Sequence, residues 1–290
     1  MKKIAESELI LNSDKSIYHL KLQPHQIATD IIVVGDPNRV KLISDKFSSI
    51  EHVVENREFI THTGYFNNKR ISVIGTGIGT DNIDIVLNEL DALVNIDLDE
   101  KVVKNKLTSL NIVRIGTCGA LQEHINVNDF VVSEYALGLD GLMNFYEMDY
   151  TPKEQTILKE FYTQTNYSKQ LTQPYIVKGS SRLHQLFAAD CHSGITATAC
   201  GFFGPQGREL RLKLKEPQLN DKLHQFGFED LKINNFEMET SAIYGLSRLM
   251  GHQACTVCVV VANRYNKSFT KDYHPAMEQL VDLVLQKLTQ

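Results

Sequence analysis

No stretch of the chain stays apolar over the roughly 18 residues that a membrane-crossing helix needs. No apolar run follows Lys2 and Lys3, so no secretory leader is expected. Cysteine is scarce and odd in number, at Cys118, Cys191, Cys200, Cys255 and Cys258. Five irregularly spaced thiols do not make a disulfide framework. Cys255 and Cys258 form C-x-x-C, but inside the apolar run 254–261, which reads as a buried strand with positions three apart on opposite faces. No second ligand pair stands nearby, so a zinc site is not expected. Basic charge is not in excess: 30 Lys and Arg face 35 Asp and Glu, a net charge of -5, which leaves no broad footprint for nucleic acid. A low-complexity linker, an internal repeat and a break in composition are also missing. These absences leave a soluble chain of a reduced, cytoplasmic compartment as the expectation. A chain of 290 residues, 42% of them hydrophobic and 22% charged, can bury a large core.

What is present alternates between two periods. Asp30 to Gly35, Ile71 to Gly75 and Ile112 to Gly116 are short apolar runs that end in glycine. Phe130 to Val132 and Thr256 to Val261 are further strand candidates. Helical spacing follows in Ile83, Val86, Leu87, Leu90 and Val94, in Ala242, Leu246 and Leu249 up to Gly251, and from Met277 to Leu288. Strands alternating with helices predict a single α/β domain around a parallel or mixed sheet. The polar segment 95–109 reads as an extended helix–loop connection, and 142–175 resists assignment.

In such folds ligands bind at the carboxyl ends of strands. Three of those ends carry glycine with an arginine nearby. Gly35-Asp36-Pro37-Asn38-Arg39 follows a strand and opens a helix, where Pro37 suits the first turn and backbone N–H groups can meet an anion. Taken alone it also fits a plain turn with a surface arginine. Gly75-Thr76-Gly77-Ile78-Gly79 suggests a dinucleotide fingerprint, but its third glycine is misplaced and no acidic residue ends a strand about 20 residues on. Arg114, inside Arg114-Ile115-Gly116-Thr117-Cys118-Gly119-Ala120, is costly to bury without an anionic partner. Thr117 adds a hydroxyl, and Arg57 is a third candidate cation. Three arginines beside two glycine turns match an inorganic phosphate site. Phe236-Glu237-Met238-Glu239 places two carboxylates around a thioether. A carboxylate can accept two charge-assisted bonds from a vicinal diol, and the thioether can pack on a sugar face. The same residues also fit an acidic helix N-terminus.

As an ordered set, the motifs at 35–39, 57–59, 76–79, 114–120 and 236–239 resemble the nucleoside phosphorylase family, most of all its uridine phosphorylase branch. The resemblance runs from about Tyr18 to the C-terminus. It implies an N-terminal extension over 1–17 and one phosphorylase-like domain over 18–290, with a distorted, mixed central β-sheet flanked by helices. It also implies a pentosyltransferase that splits a nucleoside with phosphate into free base and pentose 1-phosphate. On that resemblance Gly35, Arg39, Arg114 and Thr117 would hold phosphate, with Arg57 supplied by a neighbouring subunit. Glu237, Met238 and Glu239 would hold the ribose, and His19 would reach across a dimer to the 5′-hydroxyl. Phe202-Phe203-Gly204-Pro205-Gln206-Gly207-Arg208 resembles the uracil-reading segment. There Phe202 would pack on the base, Gln206 would pair with the imide edge, and Arg208 would stabilise the departing anion. Arg264 stands where purine-specific relatives carry an acid. The catalytic set would be Arg114, Glu239 and Arg208.

The resemblance thus implies phosphorolysis of uridine, with deoxyuridine and thymidine as further candidates, in nucleoside catabolism and pyrimidine salvage. A purine nucleoside phosphorylase, a hydrolytic nucleosidase, and a nucleoside-binding protein without turnover remain the alternatives. The expected partners are a nucleoside, phosphate and copies of the chain itself, as a dimer unit or a hexamer. Neither nucleic acid nor membrane is expected to bind. No organic cofactor is expected; phosphate is the co-substrate. Glu58 matches a glutamate through which some relatives bind a monovalent cation, so potassium at a subunit interface is a candidate. The extension before Tyr18, the insert at 95–109, the Gly204-Pro205 order and Glu209-Leu210-Arg211 depart from the compact bacterial pattern. These departures bear on base selectivity more than on the reaction.

Overall fold

Strand β1 (Asp30–Val34) is buried along its whole length. Its alternate residues enter two different cores, Ile31 and Val33 in one and Ile32 and Val34 in the other, as the alternation of side chains in a strand requires. A strand covered on both faces belongs in the middle of an α/β sheet. The computed structural model describes residues 3–290; Met1 and Lys2 of the expected extension lie outside the described residues.

Helix α1 (Asn38–Ser44) leads to the hairpin β2 (Ser49–Asn56) and β3 (Phe59–Phe66), then to β4 (Lys69–Gly75) and α2 (Thr80–Asn95). The segment 95–109 is not an extended helix–loop connection. It holds the short antiparallel ribbon β5 (Ile96–Asp97) and β6 (Val102–Val103), and Ile96 and Leu98 pack against the core that also contains Leu9 and Ile17. Apolar pairs on both sides of a charged tip make a ribbon the better solution. The chain continues through β7 (Asn111–Ala120), β8 (Phe130–Gly138), α3 (Pro152–Thr165), β9 (Tyr175–Lys178), α4 (Ser181–Phe187) and β10 (His192–Thr198). It ends with α5 (Leu219–Gln225), β11 (Gly227–Phe228), β12 (Leu231–Glu237), α6 (Thr240–Met250), β13 (Gln253–Asn263), β14 (Ser268–Phe269) and α7 (His274–Leu288).

Among the described residues the main sheet has twelve strands, in the path β11-β12-β10-β8-β13-β7-β1-β4-β3-β2, with β14 on β13 and β9 on β8. Parallel pairs join β1 to β4 and β7, β7 to β13, and β10 to β8 and β12, whereas β8 runs antiparallel to β13. The sheet is therefore mixed. A second contact distorts it: β12 also pairs antiparallel with β7, through Asn235–Ala120 and Phe236–Gly119. The strands β7, β13, β8, β10 and β12 thereby close into a ring, which brings the end of β12 beside the C-terminal end of β7. Helices α2 and α6 pack in one core, and α4 and α7 in the other with α1. Cys255 and Cys258 fall into different clusters, on opposite faces of β13. Leu249, read as part of a core stripe, is 41% exposed, because the buried arc of α6 is carried by residues 240–247. Among the described residues no helix is long and apolar enough to cross a membrane.

Candidate active site

Two glycine turns meet at the ends of β1 and β4. A Cβ on Gly35 would lie 3.4 Å from the Gly77 carbonyl, so the turns lie nearly against each other. Gly77 and Gly79 have φ of +71° and +101°, in the region where a side chain is strained. Arg39, in the first turn of α1, is buried and donates from Nη1 to the Ile115 carbonyl at 3.1 Å. Burial, and then the nearby Arg114 charge, push its guanidinium below the usual arginine range.

Arg114 lies in the centre of β7 and is buried. Its Nη2 is bonded to Glu239, and its Nη1 is 3.4 Å from Glu237 Oε2. Burial works against its charge, but Glu239 and Glu237 outweigh burial and hold it firmly protonated. Glu239 stands just before α6, and its Oε1 accepts the Gly79 N–H at 2.8 Å. Glu237 is placed differently. Its carboxylate accepts the N–H groups of Glu239 (2.9 Å) and Thr240 (3.0 and 3.1 Å) and the Thr198 hydroxyl (2.6 Å). Both of its oxygens are therefore engaged by the start of α6 and by β10. Burial raises the Glu237 carboxyl and Glu239 adds to the rise, while Arg114 works against it.

The turn 202–208 forms a third wall. Gln206 ends a short 3₁₀ turn and is buried, and Gly207 follows with φ of +68°. Arg208 then folds back, donating to the Phe202 carbonyl at 2.6 Å and to Gln206 Oε1 at 2.7 Å, with its guanidinium 3.7 Å from the Phe202 ring centre. With its carbonyl so occupied, the Gln206 amide keeps its NH₂ for a ligand acceptor. Burial and then Arg264 push the Arg208 guanidinium down to about 10.

These walls enclose one cavity of about 960 Å³, a size suited to a small-molecule ligand. Ten expected residues line it: Gly35, Arg39, Arg114, Thr117, Phe202, Gln206, Arg208, Glu237, Met238 and Glu239. Arg264 lines it too. His19 and Arg57 do not; they stand together elsewhere. Asn56 Nδ2 donates to the His19 carbonyl at 2.7 Å, Arg57 donates to the Tyr18 hydroxyl at 3.1 Å, and His19 Nδ1 is 2.7 Å from Glu89 Oε1. Glu58, beside them on the hairpin tip, is exposed. Among the described residues no group of three or more His, Cys, Asp or Glu could hold a metal ion. Sequence reasoning missed Asn220, Lys267 and Tyr273 in the cavity wall. They come from α5, the loop after β13 and the start of α7, and no local signal marks them.

The sequence matches the family described as the phosphorylase superfamily over residues 29–288. A uridine phosphorylase of Thermococcus kodakarensis is 30% identical over 265 residues, covering 88% of this chain and 80% of that protein. A DeoD-type purine nucleoside phosphorylase of Alkaliphilus metalliredigens is 38% identical over 149 residues, half of this chain and 58% of that one. The crystal structure of a Trypanosoma brucei nucleoside phosphorylase, described as showing uridine phosphorylase activity, is 30% identical with a TM-score of 0.89 and covers 97% of this chain and 99% of that one.

Proposed function

The chain belongs to the phosphorylase superfamily, and from that premise we propose that it is a pentosyltransferase that cleaves uridine with inorganic phosphate to uracil and ribose 1-phosphate. The observation that carries the base assignment is the Gln206–Arg208 pair, already bonded to each other over Phe202 on the wall that faces Arg114 and Glu239. Uracil departs as a delocalised anion, so it needs donors, and Gln206 NH₂ and the Arg208 guanidinium supply them.

Phosphate is held by the turn at Gly35, by Arg39 and Arg114, and by the Thr117 hydroxyl. The ribose rests on Glu239 and Met238. Glu237 secures the helix that presents them. In the free site Arg114 and Glu239 neutralise each other. Substrates separate their duties: the anion takes the guanidinium and the diol takes the carboxylate. A phosphate oxygen then forms a bond to C1′ while the C1′–N1 bond breaks, and its electron pair moves into the uracil ring. Catalysis is positioning and fixed electrostatics, with no enzyme nucleophile. His19 and Arg57 complete the site from a second copy of the chain in a homo-oligomer built on a dimer, because neither side chain reaches the cavity of its own protomer. Five free cysteines fit a reduced, cytoplasmic setting, where the reaction would serve pyrimidine salvage.

The purine alternative is favoured in the cavity by Asp221, an exposed carboxylate that also lines it. A nucleoside panel with and without phosphate, read as free base released, separates the cases. We expect uridine turnover that depends strictly on phosphate. Equal release in phosphate-free buffer would make the protein a nucleosidase, and inosine outrunning uridine would make Asp221 the base-reading group.

A further inference from the structure

The Arg114 side chain follows a path that its own strand leaves open. It lies over Gly116, where a Cβ would overlap the guanidinium. Gly116 is paired across the sheet with Cys258 of β13. Val113 and Ile115 point into the core of α1, α4 and α7, as do Val257 and Val259. Positions 114 and 116, and position 258, therefore face the other way, by strand alternation. The guanidinium is thus set between an empty glycine seat and a sulfur. Its Nη1 donates to Cys258 Sγ at 3.2 Å, whereas Nη2 turns to Glu239. Cys258 is 1% exposed, too buried to serve as a surface nucleophile. Cys118, which lines the cavity, belongs to the same small buried cluster.

We propose that Cys258 is a positioning residue for Arg114: its sulfur, facing the seat left by Gly116, tethers one terminal nitrogen so that the other is held toward the phosphate. A thiol suits this place because a third carboxylate would add negative charge to a buried site that already holds two. The tether also accounts for a glycine at position 116, inside an otherwise apolar strand. This inference rests on the phosphorylase reading of the cavity.

Cys258→Ala removes the acceptor, and Cys258→Ser restores a smaller one. With phosphate and uridine varied separately, Cys258→Ala should raise the KM for phosphate about three- to tenfold, the size of one ordinary hydrogen bond. The KM for uridine should stay within about twofold of wild type, inside the scatter of a lost contact elsewhere. Cys258→Ser should recover most of the loss. In an Arg114→Lys background, Cys258→Ala should add nothing, because the group it positions is gone. Phosphate-induced thermal stabilisation gives a readout without turnover, and its midpoint should move to higher phosphate in Cys258→Ala by the same factor as the KM. Parallel rises in both KM values, or a lower Tm with an unchanged phosphate midpoint, would reduce Cys258 to a packing residue and overturn the proposal. If wild-type turnover proved independent of phosphate, the phosphorylase reading would fall; the thermal midpoint would still judge the tether, and equal midpoints in wild type and Cys258→Ala would sink it.

Discussion

Glu237 and Glu239 stand two residues apart, and their surroundings give them different work. Glu237 spends both oxygens on backbone N–H groups, a threonine hydroxyl and Arg114. Glu239 binds one backbone N–H and the face of Arg114 that turns to the cavity. Replacing Glu237 by Gln puts an amide against two N–H donors at the start of α6. Lost bonds to a charged acceptor cost about 1.5–3 kcal/mol each, so Glu237→Gln should lower stability by at least that much. Its uridine KM should change less than its Tm. Glu239→Gln should do the reverse, keeping most of the stability and losing most of kcat/KM for uridine, since the diol loses a charged acceptor. Thermal melts and steady-state kinetics on the two variants test this. Two variants with the same split between Tm and kinetics would show that the environments do not separate the roles. The pairing also governs how Arg114→Ala must be read, because it leaves two buried carboxylates without a counter-charge, which costs about 3–5 kcal/mol for a buried pair.

At the scale of elements, α3, β9 and α6 are joined by one carboxylate. Glu154 is fully buried and accepts from Thr151 N (2.9 Å), Lys178 N (2.7 Å) and Arg248 Nη1 (3.0 Å). Burial would raise its pKa, but Arg248 and the two N–H groups outweigh burial and lower it. A lowered carboxyl contributes stability that is complete above the unfolded value of about 4.3 and disappears as pH falls through the folded value. Arg248→Met should therefore destabilise the protein by about 2–3 kcal/mol at pH 7, somewhat less than a fully buried pair. The gap to wild type should shrink as pH falls below the unfolded value of about 4.3, because the unfolded chain takes up the proton first and folded Glu154 follows. Urea unfolding at pH 7 and pH 3.5 measures both gaps, and a gap that does not change with pH would remove Glu154 from the account. Elements differ in how plainly the sequence displays them. The strands β1, β4, β7 and β13 show as apolar runs because both of their faces are covered. The strands β10 and β12 do not, because they carry a buried polar ladder, Thr196 to Asn235 at 2.9 Å and Thr198 to Glu237 at 2.6 Å. Polar residues satisfied across strands look like loop in a single sequence. The hairpin β2–β3 is hidden for a different reason, since β2 lies at the sheet edge and is largely exposed. The site was more legible than these strands, because a lone charge in an apolar run, such as Arg114, must be matched by an opposite charge close to it. Asn220 and Tyr273 were not legible, since only the fold brings their elements to the cavity.

At the scale of the whole molecule, two of the departures from the compact pattern meet, the extension before Tyr18 and the insert at 95–109. The Ile4 N–H donates to the Lys101 carbonyl at 2.8 Å, Lys15 pairs with Asp99, and Leu9 and Ile17 enter the core beneath. This unit leads directly into Tyr18 and His19, where one carboxylate, Glu89, accepts the His19 and Leu20 N–H groups and contacts the His19 ring. His19 and Arg57 are thus fixed side by side outside the cavity of their own protomer. In an isologous dimer a surface that gives to its neighbour also receives from it, so each cavity would combine one subunit's Glu239 with the other's Arg57. Arg57→Ala and Glu239→Ala should each abolish most activity alone. After refolding the two together, every mixed dimer would hold one intact site, because the Arg57→Ala subunit keeps its own Glu239 and borrows arginine from its partner. Random pairing makes about half of the dimers mixed, with one site of two intact, so about one quarter of the wild-type specific activity should return. Activity no higher than the mean of the separate variants would mean that Arg57 serves no neighbouring site, and a fully active Arg57→Ala protein would remove it from the phosphate site altogether.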